Sequence, residues 1–346
     1  MCNIAGYVGT EAAAPILLEM LRAQEGYAGG YYTGIATLHE GKIYCAKLTG
    51  DVQRLIDQTD AASLPGTVGI IHSRSRSGGG DEWAHPFLGG HGGEARIAYV
   101  ANGSIGCFKP RAEEFNGTAQ KLLDGGYELP SRVKIEAKNY NHLRDGTVAH
   151  MSDVMCQMIL RNTDRGMAEA QAMERAFCEM PSEIVGLLLS AAHPDRVFWS
   201  RINMPMFVSS AAHGQYLASA PTAFPQDGKS PQLLPPCSSG YVTAYDRRST
   251  PYERPPAAVA PIDDTLRAAA RESVETMLSD GEGHTLSELA GSIKPHFASA
   301  DCVPSAAVVY ELLYFLKKQG RLREEIRRLP GAFAHLDAPK TYFRVT

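Results

Sequence analysis

Hydrophobic and polar positions change period along the chain, and the changes mark its elements. Up to about residue 110, short apolar runs alternate with glycine-rich punctuation. NIAGYVG (3–9) reads as a strand and APILLEMLRAQ (14–24) as an amphipathic helix, its apolar residues recurring at helical spacing. TGIATLHEGKIYCAKL (33–48) reads as a hairpin turning at His39-Glu40-Gly41, where glycine supplies a positive φ. TVGIIHSRSRS (67–77) and ARIAYVANGSI (95–105) are further strands, the second placing Asn102-Gly103 where strand meets turn. Residues 111–130 read as helix, and SRVKIEAKNYNHLRDG (131–146) as a polar insertion or extended loop. SDVMCQMILRN (152–162), with Ser152 or Asp153 as N-cap, and MAEAQAMERAFCEM (167–180) carry helix periods. Five strand patterns follow, from EIVGLLLSA (183–191) to GYVTAYDRR (240–248). The mixture predicts two sheets covered by helices.

The proline-rich stretch 249–263 reads as a linker between a domain over 1–248 and a helical domain over 264–346. The latter shows three helix patterns (264–279, 285–297 and 305–320) and then RLREEIRR and KTYFRV, the outline of a winged helix. A length of 346 residues accommodates two domains.

Composition narrows the class. Charged residues at 21% and a net charge of −4 give no global pull toward nucleic acid or an anionic membrane. No apolar run reaches the roughly 18 residues of a membrane span. Glu11 and Glu19 interrupt the first twenty positions, so no signal peptide is expected and the expected location is the cytoplasm. Seven scattered cysteines without a CxxC pair argue for a reducing compartment, without a disulfide framework or zinc site.

Against that background Cys2 stands out by position. In mid-chain it reads as a small apolar residue starting a strand. If Met1 is removed, one residue carries both a thiol and an α-amine of pKa ~8, hence a nucleophile and a base together. Asn102 and Gly103 offer oxyanion donors, although an Asn-Gly hairpin turn is an equal reading of those two residues alone. In HSRSRSGGGDEWAHPF (72–87), Arg74 is suited to forking a carboxylate, with Ser77 as a further donor. The alternatives there are a solvated basic turn or a phosphate cradle. His72, His85 and His91 match no familiar metal-ligand spacing, and neither metal nor cofactor is expected.

MCNIAGYVG, GIIHSRSRSGG…WAHPF and VANGSI, in this order, resemble the N-terminal glutaminase domain of class II glutamine amidotransferases, which are N-terminal-nucleophile hydrolases. The likeness to the glucosamine-6-phosphate synthase type extends over roughly residues 2–245, through LLEMLRAQEGYAGGYYTGIAT, LLDGGYEL, SDVMCQMI and MPMFVSSAAHGQYLASAPTAF. The resemblance implies an α+β fold, a four-layer αββα sandwich, followed here by the small winged-helix-like domain. It implies Cys2 as nucleophile, Asn102 and Gly103 as oxyanion hole, Arg74 on the glutamine α-carboxylate and Ser77 as the hydroxyl three positions on. Asp153 would receive the α-ammonium, and His85 would stand near the site in a structural role. Departures are Asn3 for a usual glycine, Ala28 and Tyr31 for an arginine and an acid, and Ser75 for the aromatic beside Arg74.

The expected activity is hydrolysis of the glutamine side-chain amide to glutamate and ammonia. The 85 or so residues after the linker are too few for a synthase domain, so the ammonia acceptor is expected on a separate protein. Two alternatives stand beside this. One is hydrolysis of another γ-glutamyl amide. The other is a non-catalytic amino-acid sensor whose winged helix binds DNA or protein. Between Asp263 and Thr346, 11 Lys/Arg against 12 Asp/Glu make a poor phosphate-binding face, which favours protein contact or homo-oligomerisation over nucleic acid.

Overall fold

The computed structural model describes residues 2–76, 78–137, 140–226, 228–297 and 302–345, with Phe333 described by its backbone alone. The first part of the chain runs β1 (Asn3–Gly9), α1 (Ala13–Arg22), β2 (Tyr32–His39), β3 (Lys42–Thr49), α2 (Val52–Gln58), β4 (Val68–Arg74), β5 (Phe87–His91), β6 (Glu94–Ser104) and α3 (Ala112–Asp124). It continues through β7 (Asn141–His142), β8 (Val148–Ala149), α4 (Met151–Asp164), α5 (Glu169–Glu179), β9 (Glu183–Ser190), β10 (Arg196–Arg201), β11 (Phe207–Ala211), β12 (Gly214–Ala218), β13 (Gln232–Leu233), β14 (Ser238–Thr243) and β15 (Arg247–Pro251).

Two large sheets result, ordered β13-β11-β12-β1-β4-β2-β3 and β15-β14-β10-β9-β6-β5. Side-chain alternation along β1 shows how they stack. Ile4 and Val8 join Ala36, Val100, Leu187, Trp199 and Leu217 in a core between the sheets. Ala5 and Tyr7, on the opposite face, pack with Leu17 and Leu21 of α1. On the far side of the second sheet, Tyr99, Leu188 and Phe198 meet Ile159 of α4 and Phe177 of α5. Helix, sheet, sheet and helix therefore form four layers. Six of the seven residues of β1 are buried, because both of its faces are covered.

The hairpin β2–β3 turns at Glu40-Gly41, where both residues take positive φ (49° and 74°), the backbone a two-residue I′ turn needs. Asn102 and Gly103 pair with Val185 and Ile184 inside β6, so they belong to a strand and form no hairpin turn. The N-cap of α4 is His150, whose Nδ1 accepts from Ser152 N at 3.1 Å. Neither Ser152 nor Asp153 caps; Asp153 lies in the first turn, with its carboxylate engaged elsewhere.

Ser249–Pro251, at the start of the proline-rich stretch, continues β15 as the edge strand beside β14. Tyr252 follows into the core, its hydroxyl 2.6 Å from Ser200 Oγ. Proline is tolerated at the end of an edge strand, since its missing N–H breaks no interior ladder bond. Beyond come α6 (Asp264–Leu278), α7 (Leu286–Ile293), α8 (Ser305–Lys318), β16 (Leu322–Phe333) and β17 (Leu336–Val345). His284, between α6 and α7, bridges to Phe343 of β17.

This carboxy-terminal unit packs firmly on the sandwich. Val309, Leu313 and Phe343 share a core with Tyr27, Phe207 and Ala220. Among the described residues, no helix is long and apolar enough to cross a membrane.

Candidate active site

Cys2 precedes β1 at the end of the first sheet and is buried. Its backbone N–H donates to Oδ1 of Asn102, on β6 of the facing sheet, at 2.7 Å. That bond fixes the amide's orientation, because only its oxygen can accept. Nδ2 of Asn102 is then left buried with no hydrogen-bond partner among the described residues. An unsatisfied buried donor of this kind costs roughly 1–3 kcal/mol. An oxygen acquiring negative charge at the thiol would satisfy it.

The Cys2 Sγ lies 3.8 Å from Ser75 Oγ. Burial pushes the thiol up, but the neighbouring His72 ring, the charge at the chain's amino end and a backbone bond at Ser75 pull it to about 6. His72 Nε2 lies 3.0 Å from the Ala101 carbonyl oxygen, so in the neutral ring this nitrogen carries the hydrogen. Nδ1 is thereby the ring's basic nitrogen, buried and without a partner of its own. The sequence had shown His72 only as one of three scattered histidines. Strand pairing reveals its place, since Ile4 sits opposite His72 and Asn3 opposite Ser73.

A cavity of about 730 Å³ opens beside Cys2, walled by Arg74, Ser75, His85, Gly103, Tyr140 and His150 among others. Arg74 is buried, donates to the Trp83 carbonyl oxygen and the Tyr140 hydroxyl (both 3.1 Å), and lies over the Tyr32 and Trp83 rings. These contacts hold the guanidinium rigidly at the wall. His85 stacks on His72 with ring centroids 3.8 Å apart. Burial, with the charges of His72, His150 and Arg74, pushes His85 well below the usual histidine range, so the ring is neutral. His91 lies apart from this pair, on Asp164 at 2.8 Å.

The fold thus brings Cys2, Arg74, Ser75, His85 and Gly103 to one cavity, with Asn102 hydrogen-bonded to the Cys2 N–H. Asp153 is fully buried but does not line the cavity. Its Oδ2 accepts from Ser131 N and Oγ at 2.9 and 2.6 Å, and burial raises its carboxyl to about 6. Ser77 lies outside the described residues. Tyr140 and Ser131 come from the polar stretch 131–146, whose lack of period concealed them.

Asn3, the residue standing where glycine was expected, braces the turn after α1. Its Oδ1 accepts from Ala28 N (3.1 Å) and Gly29 N (3.2 Å), and its Nδ2 donates to Gln24 Oε1 and Tyr310 Oη, both at 3.4 Å. Tyr310 belongs to α8. β17 holds the same turn, with Thr341 N donating to the Gly26 carbonyl at 3.0 Å and Thr341 Oγ1 to that of Glu25, also at 3.0 Å.

No protein-family model matches the sequence. The chain is 31% identical over 228 residues to the glutamine–fructose-6-phosphate aminotransferase (isomerizing) of Streptomyces coelicolor, covering 65% of this chain and 32% of that protein. It is 27% identical over 226 residues to the Pyrococcus horikoshii enzyme of the same name, covering 65% and 33%. The chain therefore spans about a third of the length of the curated relatives it matches. In three dimensions it is similar to the glutamine phosphoribosylpyrophosphate amidotransferase of B. subtilis (TM-score 0.59, 15% identity, 82% of this chain and 59% of that one). A structure described as the allosteric regulatory enzyme of purine biosynthesis is equally near (TM-score 0.59, 14% identity, 90% and 63%). At that identity the two structures speak for the fold, and the curated relatives speak for the sequence. Over about two-thirds of its length, the chain is similar to the class II glutamine amidotransferases.

Proposed function

We propose that the chain is a cysteine amidohydrolase that cleaves the side-chain amide of glutamine to glutamate and ammonia, with any ammonia acceptor on a separate protein. The observation that carries this reading is the pairing of Cys2 N–H with Asn102 Oδ1, which leaves a buried, unsatisfied Nδ2 beside a thiol of lowered pKa.

In this mechanism Met1 is removed and the Cys2 thiolate attacks Cδ of the substrate. The carbonyl electron pair moves onto oxygen, which Asn102 Nδ2 and the Gly103 N–H hold. The thiol proton, taken up by the Cys2 amine or by His72 Nδ1, passes to the leaving nitrogen, and ammonia departs. Water then attacks the thioester, giving glutamate and restoring the thiol. Arg74 receives the substrate α-carboxylate. Asp153 receives the α-ammonium only if Ser131 gives up its place on that carboxylate, which makes Ser131 part of the proposed clamp.

A second reading, a bulkier γ-glutamyl amide as substrate, is favoured by the cavity's volume of about 730 Å³ and by Ser75 in place of an aromatic wall. For the carboxy-terminal unit, the order helix, bridge, helix, helix, hairpin supports the winged-helix reading. Its balanced charge supports a protein-contact role.

The test is intact mass after incubation with 6-diazo-5-oxo-norleucine, an electrophile with the glutamine skeleton. One adduct on a chain lacking Met1, located to Cys2 and suppressed by glutamine, is expected. An unlabelled chain lacking Met1 would overturn hydrolysis at Cys2. Competition by γ-glutamyl amines but not by glutamine would select the second reading.

A further inference from the structure

We propose that Cys107 and Cys302 form a redox-active dithiol that closes to a disulfide, tying the carboxy-terminal unit to the strand end bearing Asn102 and Gly103. The two sulfur atoms lie 2.7 Å apart although the residues are separated by 195 positions. A disulfide bond is about 2.05 Å long. Two thiolates on a tetrahedral zinc with Zn–S bonds of about 2.3 Å stand ~3.8 Å apart. The observed spacing is nearer the first, so closing requires less movement than opening around a metal.

The surroundings suit thiol–disulfide exchange. Cys107 is exposed and Cys302 buried, which separates an attacking sulfur from a resolving one. The Glu183 carboxylate lies within 4.8 Å of both sulfurs, where it can accept a thiol proton. Its position is built, not incidental. Asn203 Nδ2 donates to Oε1 at 2.9 Å, and a Cβ at Gly106 would come within 1.8 Å of Oε2, so only glycine leaves the carboxylate room. Cys302 is fixed by its own backbone, which bridges Val259 and accepts from Ala260 N at 3.0 Å.

The oxidant is a small-molecule disulfide. The Cys107 thiolate attacks one of its sulfurs, the S–S bond breaks, and one thiol leaves carrying the proton Cys107 lost. The Cys302 thiolate, its proton passed to Glu183, then attacks the Cys107 sulfur of the mixed disulfide. The second small thiol leaves and takes that proton. Two protein thiols are oxidised by two electrons and one small disulfide is reduced to two thiols. The new bond joins the 3₁₀ turn Gly106–Arg111, which begins three residues after Gly103, to the segment leading into α8, whose Tyr310 touches Asn3.

The experiment oxidises the native full-length chain with oxidised glutathione, blocks remaining thiols with iodoacetamide and maps peptides by mass without reduction. The expected result is one peptide joining Cys107 to Cys302, two fewer alkylated cysteines than in the reduced chain, and a Tm several degrees higher. Dithiothreitol reverses all three, and none occurs in Cys107→Ser, a substitution at an exposed position. Equal alkylation of all seven cysteines after oxidation, or a scatter of other cross-links, overturns the proposal. So does one zinc per purified chain that is lost in Cys107→Ser and blocks cross-linking, which would make the pair a metal site.

Discussion

Two regions meet at Asn3, and they are built on opposite principles. On the side of Cys2, the proposed nucleophile, polar atoms are left unsatisfied: Nδ2 of Asn102, Nδ1 of His72 and both ring nitrogens of His85 are buried without partners among the described residues. On the brace side, formed by the turn after α1, α8 and the β16–β17 hairpin, most polar groups are tied off, with Arg344 Nε on β17 the exception among the described residues. Asn3 caps Ala28 and Gly29, Thr341 holds Glu25 and Gly26, Tyr27 bonds Glu324, and Arg328 pairs with Asp51. Unsatisfied donors suit a site that must bind charge appearing during a reaction, and they persist only on a rigid support. The difference teaches that the carboxy-terminal unit supports the end of β1 that bears Cys2, through Tyr310 on Asn3 and Thr341 on the turn after α1. It stands where the resembling family was expected to use an arginine at Ala28.

The largest expected effects break the nucleophile side. Cys2→Ala should abolish both adduct formation and glutamine hydrolysis, a loss of more than ~10³-fold. Asn102→Ala should lower kcat by about 10²–10³-fold, the usual consequence of removing one oxyanion donor. Steady-state ammonia release checks both. If Asn102→Ala keeps the wild-type kcat, the unsatisfied Nδ2 is not an oxyanion donor.

Next comes the brace. Asn3→Gly restores the residue the resemblance expected but removes the acceptor for two backbone N–H groups. It should cost about 1–3 kcal/mol in urea unfolding and lower kcat several-fold. Tyr310→Phe loses only a 3.4 Å bond and should cost about 1 kcal/mol or less. Full activity and stability in Asn3→Gly would dissolve the comparison, leaving the carboxy-terminal unit an appendage.

How much of this could be read in the sequence follows the same division. The nucleophile side is written in short local strings, so the convergence of Cys2, Arg74 and Asn102-Gly103 was legible, as were the strands of a four-layer sandwich. Asn3 was legible only as a departure, because its role depends on partners 25, 26 and 307 positions away. The base candidate His72 needed strand register, which no single-strand pattern supplies. Tyr140 and Ser131 sat in a stretch with no period to follow. Asp153 was expected to receive a substrate α-ammonium, but its carboxylate is taken by Ser131 away from the cavity lining, which depends on how the 131–146 segment folds back.

A smaller effect sharpens the nucleophile side. With the thiol at about 6, the Cys2 alkylation rate should rise through a midpoint near pH 6 and be flat by pH 8, whereas an ordinary cysteine is still rising near 8.5. His72→Gln removes the largest of the lowering causes and should move the midpoint upward. A midpoint that stays put would transfer the thiol's activation to the chain's own amine.

The smallest effect tests the brace through pH. Burial, with the charge of Asp51, raises the Glu25 carboxyl from 4.5 to about 8, while the Val52 backbone N–H and Arg328 oppose the rise. Between those values the folded chain holds a proton that the unfolded chain has released. Stability should therefore be greatest below about pH 4.5 on this account, fall as pH rises toward 8, and level off above. Asp153, raised to about 6, adds a parallel fall that is complete by then. Cys2, whose thiol is held at about 6, titrates over pH 6 to 8 with the opposite sign, so Glu25 is isolated there in the Cys2→Ala background. In that background Tm should drop by roughly 5 °C between pH 6 and 8, for a loss of about 2 kcal/mol, and Glu25→Gln, which cannot ionise, should largely flatten the fall. Glu25 lies in the turn that Thr341 clasps, so the same titration should also loosen β17 from that turn. Faster amide exchange at Thr341 in wild type at pH 8, absent in Glu25→Gln, would tie the pH response to the contact between the two regions. An unchanged rate would confine it to Glu25 and Val52.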